Sequence, residues 1–246
     1  MRSMKAVFKL LVLASPGFLI ACGGSDSNNM SLLNDFNVDF QSFNYANNGV
    51  SIEVEYGVEP FAQEVILSGG SMYGTVTYTS LPIQYEGTAL PSYKVEVSLK
   101  DVNTDTVLDK QALNVSSSSE GKLVFAVGDL NNTTDGPARL IIADKPDYES
   151  DDSNVALYVM NLRDTSFSAS TYSIKVNGEE VYRDLAQGVL APLIEMKETA
   201  DVLITVTDDN ASKNCDITNF DWSVHGKWIV VFDKASSGLC YTINID

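Results

Sequence analysis

The chain has 246 residues, and 16 lysine and arginine residues stand against 33 aspartate and glutamate residues, so its formal net charge is −17. A protein this acidic is repelled by polyanions, and we expect no nucleic acid among its partners. Hydrophobic residues make up 44% of the chain, which is ordinary for a globular protein. This proportion argues against a disordered acidic tail and against a multi-span membrane protein.

The N-terminal residues carry the pattern of a signal peptide. Basic residues at positions 2, 5 and 9 precede an apolar run from Leu10 to Ile20, and no acidic residue occurs before Asp26. The run is too short for a stable membrane-spanning anchor. Its end, Leu19-Ile20-Ala21-Cys22, resembles the lipobox of bacterial lipoproteins, in which the cysteine becomes the lipidated first residue of the mature chain.

The lipobox resemblance implies a signal peptide over residues 1–21 and acyl chains on Cys22, which begins a flexible tether over residues 22–34. Several acyl chains hold a protein to a bilayer far more firmly than one myristoyl group does. Lipoproteins of this class with aspartate after the cysteine stay in the inner membrane. Because Gly23 stands there, the resemblance implies an outer-membrane lipid anchor, with the body facing the periplasm or the cell exterior. An uncleaved anchor or a cytosolic protein is the alternative.

The two remaining cysteines, Cys215 and Cys240, are an even pair in an oxidising compartment, where a disulfide is the default. Such a bond would constrain the unfolded chain by about 3 to 4 kcal/mol in the loop-entropy model. A reactive or metal-binding pair is the alternative. The chain has one histidine and no Cys-x-x-Cys spacing, which disfavours that alternative.

Alternation of apolar and polar residues dominates the chain from residue 37 onward, and no long window shows a helical stripe. The clearest predicted strands are 50–56, 93–99, 123–127, 172–176 and 202–206. Turn signals rich in Asn, Asp and Gly separate them. Many short strands at this spacing predict a sandwich or a barrel. Only residues 182–197 leave a turn of helix open as an alternative to strand.

Two matched pairs of segments in the same order indicate an internal duplication. Ser51–Val54 matches Ser173–Val176, and Gly121–Val127 matches Gly226–Phe232. The first copy is longer between these landmarks, and we expect the extra residues in the Gly-, Ser-, Thr- and Tyr-rich stretch Ser68–Gly87.

The duplication predicts an all-β fold of two tandem immunoglobulin-like antiparallel β-sandwiches after the signal peptide and tether. We place the first sandwich at residues 35–146, an acidic linker at 147–153 and the second sandwich at 154–246. Each body then has about 100 residues, the usual size of an immunoglobulin-like sandwich.

Five segments of the second copy follow one another in a definite order: Asn154–Val159, Val176-Asn177-Gly178, Asp184–Gly188, Val202–Val206 and Trp228–Phe232. The first copy repeats the order, with Gly74–Tyr78 at a glycine-containing crossover. This order resembles the bacterial DUF4397 family, whose members are extracytoplasmic β-sandwich domains, often in tandem on secreted or lipid-anchored proteins. The family has no established activity, so the resemblance implies a fold and no catalytic residue.

The sequence offers little support for catalysis. His225 is the single histidine, and no Gly-x-Ser-x-Gly motif supplies a nucleophile for it to activate. A turn residue is the simpler interpretation of a histidine just before a glycine. We predict no catalytic residue and no enzyme activity, while a hydrolase with a carboxylate pair stays an alternative because such a pair leaves no local motif.

We predict no cofactor and no metal, with calcium as the only alternative. Asp101-Val102-Asn103-Thr104-Asp105 begins like an EF-hand loop, but Thr106 replaces the required glycine and Ala112 stands where the bidentate glutamate belongs. The acids are better explained by turn geometry.

Aromatic residues supply the candidate ligand-binding positions. Tyr73, Tyr78 and Tyr85 lie in the Tyr- and Gly-rich stretch of the first copy, a composition typical of adaptable binding loops. Their alternation onto one sheet face is the structural alternative. Trp222, before a turn, is the better candidate for exposure, whereas Trp228 begins a strand and is expected to pack in the core.

Taken together, these features predict a lipid-anchored envelope protein that acts as a non-catalytic binding or adhesion module. The expected partners are the membrane, through the anchor, and a protein or glycan of the envelope or the cell exterior. A structural scaffold without a defined ligand is the alternative in a second class.

Overall fold

The computed structural model describes residues 33–46, 49–56, 63–69, 74–86, 92–118, 121–131, 136–147, 155–163, 172–196, 203–208, 214–217, 226–233 and 239–246. Over these residues the protein is all-β, as the alternating sequence predicted. None of the described residues forms a helix long and apolar enough to cross a bilayer. Residues 32–246 form one compact unit.

The first half of the chain, called here the first repeat, forms eight strands: β1 Leu33–Asn44, β2 Val50–Tyr56, β3 Gln63–Ser68, β4 Thr75–Glu86, β5 Tyr93–Asp101, β6 Thr106–Val115, β7 Lys122–Val127 and β8 Arg139–Asp144. The second repeat forms eight more: β9 Val155–Asn161, β10 Tyr172–Val176, β11 Glu179–Arg183, β12 Leu190–Met196, β13 Ile204–Asp208, β14 Asn214–Ile217, β15 Gly226–Asp233 and β16 Leu239–Asn244. Within the doubtful stretch 182–197, residues 182–183 and 190–196 are strand, and the described residues 184–189 between them form a connection without helix.

The strands form four four-stranded sheets with one topology used twice. Outer sheet 1 has the order β3-β2-β5-β6 and inner sheet 1 the order β4-β1-β7-β8. Outer sheet 2 has the order β11-β10-β13-β14 and inner sheet 2 the order β12-β9-β15-β16. Pairing is antiparallel except between β1 and β7 and between β9 and β15, which are parallel. Both exceptions occupy the same position in their repeat.

Among the described residues, three hydrophobic cores lie between the sheets. Outer core 1, with Phe40 and Leu99, joins outer sheet 1 to inner sheet 1, and outer core 2, with Leu157 and Ile174, joins inner sheet 2 to outer sheet 2. The inner core draws residues from both repeats: Phe43, Tyr45, Leu123, Phe125, Val127, Ile141, Met160, Leu162, Ile229, Val231 and Ile245. The two sandwiches therefore pack face to face through their inner sheets and share a core.

Aromatic stacking reinforces the inner core. The ring centroids of Phe43 and Phe125 are 4.7 Å apart, and those of Tyr45 and Tyr241, which belong to different repeats, are 5.5 Å apart. Full burial of a side chain of this size stabilises the fold by about 1.5 to 3 kcal/mol.

Burial of both faces explains why the central inner strands lack alternation. β7 reads Lys-Leu-Val-Phe-Ala-Val and β9 reads Val-Ala-Leu-Tyr-Val-Met-Asn, both almost continuously apolar and buried. β6 of outer sheet 1 alternates between exposed and half-buried residues over most of its length. Continuous apolar strands are typical of sheets covered on both sides, and alternating strands are typical of sheets with one wet face.

The match of Gly121–Val127 to Gly226–Phe232 is wrong by one residue. The Tyr45 N–H donates to the Ala126 carbonyl at 2.8 Å, and the Leu162 N–H donates to the Phe232 carbonyl at 3.0 Å. Ala126 therefore corresponds to Phe232, whereas the sequence match had aligned it with Val231.

Sheet geometry explains this error. The shared Gly-Lys pair favoured the register of the sequence match. In the structure Leu123 is instead equivalent to Ile229, because both residues face the inner core. A one-residue slip moves every side chain of a strand to the other face, and it would equate Leu123 with Trp228 of outer core 2. The match of Ser51–Val54 to Ser173–Val176 has the right register, because Ile52 and Ile174 both face the outer core of their repeat.

The extra residues of the first repeat are not confined to 68–87, contrary to expectation. The connection between β2 and β3 spans residues 57–62, whereas β10 and β11 are joined by Asn177-Gly178 alone. These two residues have φ values of 52° and 85°, and this pair of positive angles is typical of a tight type I′ hairpin turn.

Candidate functional site

The candidate site lies where the β1–β4 pair extends beyond the rest of its sheet. β4 pairs with β1 over residues 33–44 of β1, whereas β7 pairs only with residues 40–44. The β1–β4 pair is called here the ribbon, and only its first part, residues 33–39 of β1 with their β4 partners, is two-stranded. Phe43 and Val76 of this ribbon contribute to the inner core, and residues further along the same face do not.

Gln41 and Tyr78 are partners across the ribbon and form the centre of the site. The Gln41 Nε2 donates to the Tyr78 hydroxyl at 2.8 Å and to the Asn244 carbonyl at 2.7 Å. Asn244 ends β16, so this amide connects the two repeats. Gln41 is 4% exposed, whereas Tyr78 is 65% exposed.

The Gln41 carbonyl oxygen, Oε1, is buried and has no hydrogen-bond partner among the described residues. The two Nε2 hydrogens are both committed, and the Asn244 carbonyl can only accept, which fixes the amide orientation. A buried acceptor without a partner costs about 1 to 3 kcal/mol, so such a group calls for a ligand or water hydroxyl.

A groove of about 390 Å³ surrounds this pair, and its lining comprises Asp39, Phe40, Gln41, Tyr78, Thr79, Ser80, Lys122, Lys145 and Asp246. Asp39 pairs with Ser80 in the β1–β4 register, two residues from Gln41 and Tyr78, so these four share one face of the ribbon. The volume lies within the range of about 300 to 1,000 Å³ that small-molecule sites occupy.

The second repeat supplies the wall of the groove at the end of β16. An Asp246 carboxylate oxygen, Oδ1, accepts from the Lys227 N–H at 2.9 Å, and the Asp246 N–H donates to Asn244 Oδ1 at 2.8 Å. Gly226 lies against the same carboxylate at a φ of 121° and leaves no room for a Cβ. Lys122, on the first-repeat side, forms an ion pair with Asp144. The groove therefore offers fixed groups of both charges.

Of the sequence-predicted binding residues, Tyr78 is the one that the described side chains place in the groove. Tyr85 lies in β4, seven residues after Tyr78, and pairs with Asn34 of β1. Its side chain is outside the described part of the structure, as are Tyr73 and Trp222. Trp228 packs against outer core 2, as expected. Gln41 was not among the sequence-predicted residues, because it is one of four polar residues in the mixed segment 36–43 and nothing in that pattern singles it out.

The predicted cysteine and calcium positions have different outcomes. Cys240 lies in β16 and is disulfide-bonded. Cys215 lies in β14, but its side chain and the whole of Cys22 are outside the described residues, so the Cys215 pairing and the acylation stay predictions. Among the residues that the structure describes, no group of three or more His, Cys, Asp or Glu side chains is arranged as a metal site.

The loop at 101–105 is the turn between β5 and β6. An Asp101 carboxylate oxygen, Oδ1, accepts from the Asn103 N–H, and Oδ2 accepts from the Thr104 hydroxyl, both at 2.9 Å. The backbone N–H of Asn103 and the Thr104 hydroxyl lower the pKa of Asp101. These bonds explain the acidic residue by turn geometry.

Two lysine-centred ion-pair networks lie away from the groove on the exposed face of outer sheet 1. Lys100 contacts Glu53 and Glu64, and Lys110 contacts Glu96 and Glu55. Burial acts to raise the pKa of Glu53, but its hydrogen bonds with Lys100, Glu64 and Ser51 together outweigh burial, and the pKa is lowered. The Lys110 hydrogen bond likewise lowers the pKa of Glu96. Each of these lysines is thus paired with two glutamates.

No protein-family profile matches the chain, and no curated protein is similar to it in sequence. Among solved structures, the chain is similar to CBMbc, a family CBM26 module from Eubacterium rectale Amy13K solved in complex with maltoheptaose. The identity is 9%, the match covers 86% of this chain and 98% of that chain, and the TM-score is 0.24. A TM-score this low supports no inference about the ligand of this protein.

Proposed function

We propose that this protein is a lipid-anchored envelope protein whose stacked β-sandwiches form a non-catalytic binding module for a glycan or protein of the envelope or the cell exterior. The groove at Gln41 and Tyr78 is the proposed binding surface. One observation carries the proposal: a well-exposed tyrosine is held by a buried amide whose own acceptor has no partner among the described residues.

Rigid positioning of the groove supports binding. Gln41 is held by Tyr78 on one side and by the backbone of the second repeat on the other, and the inner core fixes the two repeats against each other. A strand framework fixed in advance loses less entropy when a ligand binds than a loose loop does, even where a single side chain must move.

The lipobox at 19–22 supports the anchor, and the DUF4397 resemblance supports an extracytoplasmic location without catalysis. Both stay predictions. Substitution of Cys22 by serine is expected to abolish acyl labelling and to release the chain from the membrane fraction. Retention of the C22S variant in that fraction would refute the anchor.

Photocrosslinking in intact cells tests the binding function. A photoreactive residue at Ser80, an exposed groove position, is expected to capture an envelope or external component. The control is the same group at Val102, an exposed residue of the β5–β6 turn. Equal adducts from both positions would contradict a specific binding surface and favour a scaffold. Protease or a cell-impermeant label added to intact cells then distinguishes an external ligand from a periplasmic one.

A further inference from the structure

We infer that the groove at Gln41, Tyr78 and Asp246 binds a neutral, hydroxyl-rich ligand of the carbohydrate class. This inference rests on the proposed function and specifies its ligand. Three features lead to it: the hydrogen-bonding state of Tyr78, the unsatisfied Gln41 acceptor, and the mixed charge of the groove.

Tyr78 offers both a stacking surface and a directed donor. The residue is 65% exposed and lines the groove, so its apolar ring is accessible to a ligand there. Its hydroxyl accepts the Gln41 hydrogen bond, which leaves the phenolic proton free to donate to a ligand oxygen. The alternating C–H and O–H faces of a sugar ring fit such a surface, because aromatic side chains combine a large apolar area with one polar end.

Gln41 supplies the complementary acceptor. Its Oε1 has no partner within the described part of the chain, and both amide hydrogens are already used. A hydroxyl beside Tyr78 could therefore accept from the phenol and donate to Oε1. Among neutral groups, a hydroxyl both donates and accepts hydrogen bonds at a single oxygen atom. Oε1 is closed to solvent, so a ligand reaches it only after a groove side chain moves aside.

The charges of the groove favour a neutral ligand over an ion. Asp39 and Asp246 balance Lys122 and Lys145, so these four side chains carry no net formal charge that would favour an anion or a cation. Carboxylates accept hydrogen bonds and ammonium groups donate them, so both can pair with hydroxyls around one ring.

The neighbouring sheet edge fits a peptide less well. β4 is an edge strand of inner sheet 1, and Pro82 lies within it. Proline lacks the N–H that strand addition requires, and proteins use it to block free edges. Addition of a peptide along β4 is nevertheless the outcome that competes with saccharide binding in the test.

The test uses nuclear magnetic resonance of the chain with Cys22→Ser, titrated at millimolar concentration with neutral hexose, N-acetylhexosamine and pentose oligosaccharides. A bound saccharide is expected to shift the signals of the Gln41 side-chain amide. If Gln41 had only a structural role, these signals would not shift. Tyr78→Phe is expected to weaken binding about threefold to tenfold, and Tyr78→Ala more than tenfold. Val102→Ala, in the exposed turn between β5 and β6, is the matched control and should bind saccharide as the parent does.

Several results would overturn the inference. These are preference for an acidic or phosphorylated saccharide, absence of any Gln41 shift with the whole panel, or binding that Tyr78→Ala leaves intact. Shifts confined to the backbone amides of residues 75–86 upon addition of an extended peptide would replace the saccharide by strand addition. Specific photocrosslinks from position 80 to a protein, without saccharide binding, would refute the carbohydrate ligand and preserve the proposed binding function.

Discussion

The two repeats share their architecture but not the chemistry of the candidate site. Tyr158 occupies in β9 the place that Gln41 occupies in β1, and it pairs with Pro192 where Gln41 pairs with Tyr78. The core positions correspond closely: Phe43 and Met160 both enter the inner core. Packing thus holds the same pattern in both copies, while the groove pair occurs in the first copy alone.

The lengths of the equivalent edge strands also differ. β4 continues straight along β1 for 12 residues, whereas β12 has 7 residues and a register shift between Pro192 and Ile194. A bulge bends a strand and increases its twist. The first repeat therefore keeps a long ribbon with an exposed face, and the second repeat closes the groove with the end of β16.

The largest effect is expected in the inner core that the repeats share. Phe125→Ala removes a fully buried ring stacked on Phe43 and should lower the free energy of unfolding by about 3 to 5 kcal/mol. Both tryptophans lie in the second repeat, so urea unfolding followed by tryptophan fluorescence reports on the partner of the mutated repeat. An unchanged fluorescence midpoint would show that the repeats unfold independently.

A matched pair of glycines tests the backbone of each repeat. Gly128 has a φ of 91°, and a Cβ there would lie 2.3 Å from the Pro137 carbonyl oxygen. Gly178 has a φ of 85° with open space around it. Gly128→Ala should cost about 3 kcal/mol or more, and Gly178→Ala about 1 kcal/mol, in thermal unfolding. Equal costs would mean that the Pro137 contact does not constrain the first repeat.

The ion pairs of outer sheet 1 should give the first repeat a pH dependence of its own. Lys100→Met is expected to lower the free energy of unfolding by about 1 to 2 kcal/mol at neutral pH. The lowered pKa of Glu53 means that this stabilisation is present above the unfolded-state pKa and is lost as pH falls through the folded-state value.

The measurement is urea unfolding of the parent and K100M at neutral pH and at successively lower pH. The difference between the two proteins should shrink as the solution becomes acidic. A difference that stays constant with pH would exclude Glu53 as the partner responsible.

Much of the fold could be predicted from the sequence because outer strands alternate visibly. β2 and β10 have the predicted bounds, and β5 begins where predicted. Residues 123–127 of β7 are strand as predicted, but the alternation attributed to them was wrong, since they are apolar and buried on both faces. Without alternation nothing fixed the register, and the Gly-Lys match slipped by one residue there. Gln41 could not be identified, because its role depends on Asn244, which lies 203 residues away along the chain.

A binding groove in the first repeat is best tested by comparing equivalent positions of the two repeats. Tyr78→Ala and Pro192→Ala change exposed residues that occupy the same register position. Each variant is purified in the Cys22→Ser background, which removes the proposed anchor, and its retention on isolated cell envelopes is measured against Cys22→Ser alone. We expect at least tenfold weaker retention for Y78A and none of this loss for P192A. Equal retention of both variants would contradict a binding groove in the first repeat.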